Sequence, residues 1–189
     1  MTNAYRPAAV LGGGPSLPKD LEKLPKDCIL ISVNDHAFHF CKPDVLVHQD
    51  ELKWAPAVRE VLKTFTGVVV SPLEDSHIPL PRGWWDENQS SALATWYALW
   101  SDYNPVILCG MDCYQGPVKY CHPRPGFDHP VFRVPLKYHL ARWANAFKKC
   151  PHPERIKAMS GPLVELFGRY EPESDPLSAM SYQQNTGVA

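Results

Sequence analysis

The sequence lacks a surplus of either charge. Nineteen Lys and Arg stand against twenty Asp and Glu, a formal net charge of −1, and no run of five or more basic residues occurs. A dedicated nucleic-acid binder needs a basic face to neutralise phosphates, so the composition argues against that class. Apolar stretches near the ~20 residues that cross a bilayer are also missing, so no membrane-spanning helix is expected. The opening Met-Thr-Asn-Ala-Tyr-Arg-Pro is followed by a short apolar segment that ends at glycines. It has neither the basic start nor the long apolar region of a secretory leader, and we expect a cytoplasmic protein. The six cysteines, at 28, 41, 109, 113, 121 and 150, form no CxxC pair. They are expected to be free thiols. Cys109, Cys113, Cys121 and His122 lack the paired spacing of a zinc site, so no metal ligands are assigned.

What is present is ordinary for a globular chain of 189 residues: 44% apolar and 21% charged. That length suits one domain with a proper core. Twenty prolines, clustered in the intervening segments, predict rigid loops. Short apolar runs predict strands at 8–11, 28–33, 44–48, 67–71, 106–110 and 155–160. Near-continuous apolar strands fit a parallel sheet covered on both faces. Helical spacing predicts helices at 17–24, 57–65, 91–100, 137–149 and 163–168. Strands alternate with helices, so the fold class is α/β. We expect a single Rossmann-like domain over 1–172, mostly a parallel sheet of about six strands with helices on both faces. A frayed tail is expected over 173–189.

In such sheets ligands sit beyond the carboxyl ends of the strands. The first strand runs into Gly12-Gly13-Gly14-Pro15-Ser16. Consecutive glycines let several backbone N–H groups approach an anion, and a following helix start adds a favourable dipole. Ser16 is a candidate helix cap or phosphate donor. The Gly-Lys-Ser/Thr ending of a Walker loop is missing, as is the full Gly-x-Gly-x-x-Gly spacing. Asn34 closes the second strand and is a candidate contact to a base or ribose. Asp50 follows the third strand and Asp112 the fifth; each suits a ribose hydroxyl, an acceptor or a divalent cation. Ser90 and Ser91 open the strong helix, where they could cap it or hold a phosphate or sugar. Of eight histidines, His36, His39, His48 and His77 lie near the same rim, and His122, His129 and His139 follow the fifth strand. The group Trp84, Trp85, Trp96, Trp100 and Tyr103 is read as core.

A strand followed by Gly-Gly-Gly-Pro-Ser-Leu resembles the Gly-x-Gly-Pro-Ser-Leu opening of the small bacterial sialyltransferases. Val33-Asn34, Ser90-Ser91-Ala92, Ile107-Leu108-Cys109-Gly110-Met111-Asp112 and the segment from Arg155 to Leu163 resemble their later motifs in order. Lys42-Pro43-Asp44 through Asp50 is similar to a stretch in 6-hydroxymethylpterin diphosphokinases of the archaeal type, which share the Gly-Pro-Ser turn. Short phage-encoded proteins look similar too, and this chain could be one. Gly13 stands where the sialyltransferases usually have Asn, and Ala92 where they have Gly. The first change removes a side chain that in that family helps hold the donor.

The resemblance implies a transferase of glycosyltransferase type, using a nucleotide or nucleotide-sugar donor as substrate and needing no resident cofactor. It implies His129, ahead of the late helix, as general base, with His139 as the fallback, and places Tyr114 and Tyr120 in a loop that helps the departing phosphate. Asp112 is the second candidate catalytic residue. Under the diphosphokinase resemblance, Asp50 and Asp112 would hold Mg²⁺ for phosphoryl transfer. A third reading is a non-catalytic module that sequesters a nucleotide. The expected partner is a nucleotide-type small molecule, and a homo-oligomer is compatible with the sequence.

Overall fold

The computed structural model describes residues 6–73, 76–79, 89–124 and 128–172. Seven strands form one sheet: β1 (Ala8–Leu11), β2 (Ile29–Val33), β3 (Val45–Val47), β4 (Val68–Ser71), β5 (Ile78–Pro79), β6 (Val106–Cys109) and β7 (Ile156–Ala158). Among the described residues five α-helices accompany them: α1 (Leu17–Leu21), α2 (Pro56–Leu62), α3 (Ser90–Trp100), α4 (Leu136–Phe147) and α5 (Val164–Phe167). All strand pairs are parallel, in the order β5-β4-β3-β2-β1-β6-β7. The chain winds outward from β1 to β5, then crosses back to lay β6 against the other edge of β1. The strand order therefore reverses at β1 and β6, the position where doubly wound sheets open a crevice.

Burial explains the near-continuous apolar strands. Every residue of β1 and of β6 is buried. Alternate side chains serve opposite layers: Ala8, Val10, Ile31, Val106 and Leu108 join the core under α3 and α4, including Ala94, Trp143 and Phe147. Ala9, Leu11, Ile107 and Cys109 meet Leu17 and Met159 on the far face. Each fully buried Leu or Ile contributes roughly 1.5–3 kcal/mol, which is why these runs dominate the architecture. Trp96 belongs to this core periphery and stacks on Phe147, whereas Trp100 is exposed. Trp84 and Trp85 lie outside the described residues, as does the expected tail over 173–189.

The expected α/β sheet is present, with one strand more than expected. Two-residue β5 sits in a segment read from its prolines as loop. The first helix is shorter than expected, five residues ending at Leu21. All six cysteines are unpaired. Among the described residues no helix is long and apolar enough to cross a membrane.

Candidate active site at the carboxyl edge of the sheet

The carboxyl ends of the central strands open into a cavity of about 920 Å³. Its lining includes Gly12, Gly13 and Gly14 after β1, Asn34 after β2, and Asp50 after β3. It continues through Ser90 and Ser91 at the start of α3, Asp112 after β6, and His129 ahead of α4. Segments scattered over more than a hundred positions thus converge on one space. Pro15 and Ser16 lie outside that lining.

The glycine turn departs from its expected chemistry. The Gly12 amide donates to the Cys109 carbonyl at 2.8 Å, and the Gly14 amide to the Gly110 carbonyl at 2.8 Å. The Ser16 amide and hydroxyl both donate to Asp112 Oδ2, at 3.0 and 2.8 Å. Three of the expected anion-binding amides are therefore occupied by the end of β6 and the turn after it, and Ser16 does not cap α1 through its side chain. Among the described residues only the Gly13 amide of this turn is left without a hydrogen bond. A five-residue helix after the turn supplies little dipole of its own. Close packing explains the missing side chains better. A Cβ at Gly12 would lie 2.6 Å from the Gly110 carbonyl, and one at Gly14 would lie 2.0 Å from Asp112 Oδ2.

The same contacts show Asp112 in a structural setting. Its carboxylate is a fixed acceptor that ties the β1 turn to β6, which makes it a positioning residue rather than a mobile acid or base. Asp20, which the sequence reading passed over, completes the brace. It is 1% exposed, and its Oδ2 accepts from Gly110 N at 2.9 Å and Ser160 Oγ at 2.8 Å, with Ser16 Oγ 3.1 Å away as the alternative donor.

Asn34 lines the cavity just after β2. It adopts φ 53°, a conformation that Asn tolerates better than most residues. Its amide is held by the Val47 carbonyl at 2.9 Å, while Oδ1 is buried with no hydrogen-bond partner. Gln89, the residue before α3, also lines the cavity with a buried, unpartnered Oε1. An unsatisfied buried acceptor costs roughly 1–3 kcal/mol, so two at one cavity mark a place where a ligand donor can bind. Ser90 and Ser91 form the first turn of α3; the cap position is Gln89, and no side chain caps the helix. Asp50 is exposed, and the strongly exposed Trp54 also lines the cavity.

Part of the lining is aromatic and basic. Tyr114, Tyr120, Lys119, Arg124 and Arg142 form it; the two tyrosines are those the resemblance pointed to, whereas the three cations were not signalled by the sequence. The Tyr114 and Tyr120 rings lie 5.9 Å apart, and burial raises both phenols, so they stay protonated donors. Burial, reinforced by Asp112, pushes the Cys113 thiol up to about 12, which removes it as a nucleophile. His129 is exposed, and its Nδ1 accepts the Val131 amide at 3.1 Å. His139 is buried, its Nε2 sealed and unpartnered, and burial lowers its basicity. His129 is thus the more accessible of the two.

The three-membered group of metal-ligand type among the described residues is Asp35, His39 and His122, not the Asp50 and Asp112 of the Mg²⁺ reading. Arg124 already holds Asp35 at 2.5 Å, and the His39 and His122 rings stack face to face at 4.1 Å. A guanidinium on the carboxylate and parallel rings both count against a cation there. Burial alone would raise the Asp35 carboxyl, but the Arg124 guanidinium on it outweighs burial and holds it below the usual range.

Solved structures share this architecture. The sialyltransferase CstII from Campylobacter jejuni, in complex with the substrate analogue cytidine-5'-monophosphate, superposes with TM-score 0.58 at 13% identity, over 89% of this chain and 87% of that one. The fold is sialyltransferase-like. The monofunctional alpha-2,3-sialyltransferase Cst-I of the same organism gives 0.53 at 14% identity, over 98% of this chain and 94% of that one. No protein-family model and no curated protein matches the sequence. Identities this low speak to the fold alone, and the geometry above must carry the rest.

Proposed function

We propose that the protein is a transferase of glycosyltransferase type that uses a nucleotide-activated donor. The observation that supports this most is the convergence of Asn34, Gln89, Ser90 and the Gly13 amide on one cavity at the strand-order reversal. Buried carboxamide acceptors there suit the exocyclic and imino donors of a nucleobase or the hydroxyls of a ribose. The CstII neighbour is described with cytidine-5'-monophosphate, which makes cytidine nucleotides the first to test.

In this reading Arg142 and Lys119 draw the negatively charged donor, and the Tyr114 hydroxyl, which accepts from Tyr120, donates to the phosphate as it departs. Preorganised donors of this kind stabilise charge that develops in the transition state. His129 is the proposed proton acceptor for the incoming hydroxyl. Its Nδ1 accepts from Val131, so the neutral ring carries its proton on Nε2. To act as base at Nε2 it must release that amide, at a cost of about one ordinary hydrogen bond. The reading needs no metal; in the Mg²⁺-dependent alternative Asp112 would ligate through Oδ1, because Oδ2 accepts from Ser16 twice.

The test is product formation from a panel of nucleotide sugars, with and without chelator. Transfer that survives chelation supports the reading. Transfer of a phosphoryl group that stops on chelation would replace it with the diphosphokinase alternative. Tight nucleotide binding without turnover would leave a sequestering module.

A further inference from the structure

The residue that fills the space beside Gly13 comes from elsewhere in the chain. A Cβ built on Gly13 would meet three atoms of the His36 ring, Nδ1 at 2.7 Å and Cε1 and Cγ at 2.8 Å. Three near-equal distances mean that the imidazole lies with its face against the Gly13 backbone. Tyr120 stacks on the same ring, with centroids 5.1 Å apart and planes 23° from parallel. The Cys121 amide donates to the Gly13 carbonyl at 2.9 Å and closes the arrangement. His36 is buried, is sandwiched between turn and tyrosine, and lines the cavity.

Its two nitrogens are not equivalent. Nδ1 pairs with His122 Nε2 at 2.8 Å, and among the described residues no hydrogen bond to Nε2 is present. One ring must donate in that pair. The Pro123 carbonyl lies beside the His122 ring, but His122 Nδ1 is sealed and reaches hydrogen-bonding geometry with no acceptor. A buried N–H without an acceptor is rarer than an under-used acceptor, so the proton of His122 belongs on Nε2, where it is used. His36 then accepts at Nδ1 and carries its own proton on Nε2. Burial lowers the ring to about 3, so it donates as a neutral imidazole across the physiological range.

We propose that His36 Nε2–H and the Gly13 amide together form the contact to a phosphate oxygen of the ligand, with His122 as the positioning residue that fixes the His36 tautomer. This rests on the reading of the cavity as a nucleotide site and names the residue that supplies the donor the glycine turn lacks. Both groups are neutral donors, so the contact does not require an imidazolium.

The experiment is NMR on ¹⁵N-labelled protein titrated with inorganic phosphate, CMP and cytidine, for wild type, His36→Phe, His36→Gln and His122→Ala. The imidazole ¹⁵N shifts of wild type should show His36 protonated on Nε2 and bare on Nδ1. Phosphate and CMP should move Gly13 and His36 signals, and cytidine should not. His36→Phe keeps the aromatic packing and should weaken CMP about tenfold or more, with cytidine unchanged. His36→Gln places a donor near Nε2 and should recover part of the loss. His122→Ala should leave His36 averaging between tautomers.

If CMP binds no tighter than phosphate yet both move Gly13 and His36, the nucleotide reading fails and the anion site stands. The anion site is overturned if His36 is protonated on Nδ1, if His36→Phe binds CMP like wild type, or if phosphate and CMP leave both signals in place.

Discussion

Ser16 gives both its backbone amide and its hydroxyl to one oxygen of Asp112, at 3.0 and 2.8 Å, across ninety-six positions of sequence. This contact, with the Asp20 brace behind it, fixes the turn after β1 against the end of β6. It sets the floor of the cavity before any ligand arrives. Asp112→Ala should therefore destabilise the fold by about 1–3 kcal/mol, the cost of leaving partly buried donors unpaired. Urea denaturation checks this. An Asp112 variant with unchanged stability and no activity would return the residue to the catalytic group.

Gly13→Ala should be more disruptive than its single methyl suggests. The new Cβ enters the His36 ring, and overpacking of this kind typically costs about 1–3 kcal/mol. Gly13→Ala combined with His36→Ala should cost less than the sum of the two changes, because the second removes the obstacle to the first. Thermal unfolding of the four proteins measures the coupling, and simple additivity would contradict the packing described here.

The rim histidines give a directional pH dependence. Burial holds His36 down at about 3 from an ordinary 6.5, and it lowers His122 and His139 as well. Below about pH 6.5 the unfolded chain takes up protons that the folded chain refuses, so stability falls as pH drops toward 3. The stability these neutral rings confer is fully present above 6.5. Urea midpoints at pH 7.5, 6 and 5 should decline in that order, with a shallower slope in His36→Gln. A flat profile over that window would count against the buried, neutral imidazoles.

Much of this was legible in the sequence, for identifiable reasons. Strands buried on both faces read as unbroken apolar runs, and Gly or Pro punctuates their ends, so the parallel sheet follows from local pattern. Asn34, Asp50 and Ser90 were recognisable because each closes or opens an element on one rim. What local pattern hid was pairing between distant segments. Asp20 looks like an ordinary helix acid until Gly110 and Ser160 fold onto it. The triple glycine suggested an anion cradle, whereas contacts with Gly110, Asp112 and His36 explain each missing side chain. The His36 and His122 pair joins residues eighty-six positions apart, and no spacing rule reaches across that interval.

His129→Ala should lower transfer by about 10²- to 10⁴-fold, the usual contribution of a positioned proton acceptor, while nucleotide binding is kept. A steady-state comparison that separates kcat from KM checks this. Full activity in the variant would remove His129 as the base and direct attention to His139.

The most direct test of the account is isothermal titration of the wild-type protein with CMP, UMP, GMP and AMP, repeated on Asn34→Leu. Asn34 offers a buried acceptor to the ligand, so one nucleotide should bind wild type clearly more tightly than the others, and Asn34→Leu should lose roughly tenfold or more of that affinity. Equal weak binding of all four, or full affinity in Asn34→Leu, would contradict the claim that this cavity is a nucleotide site.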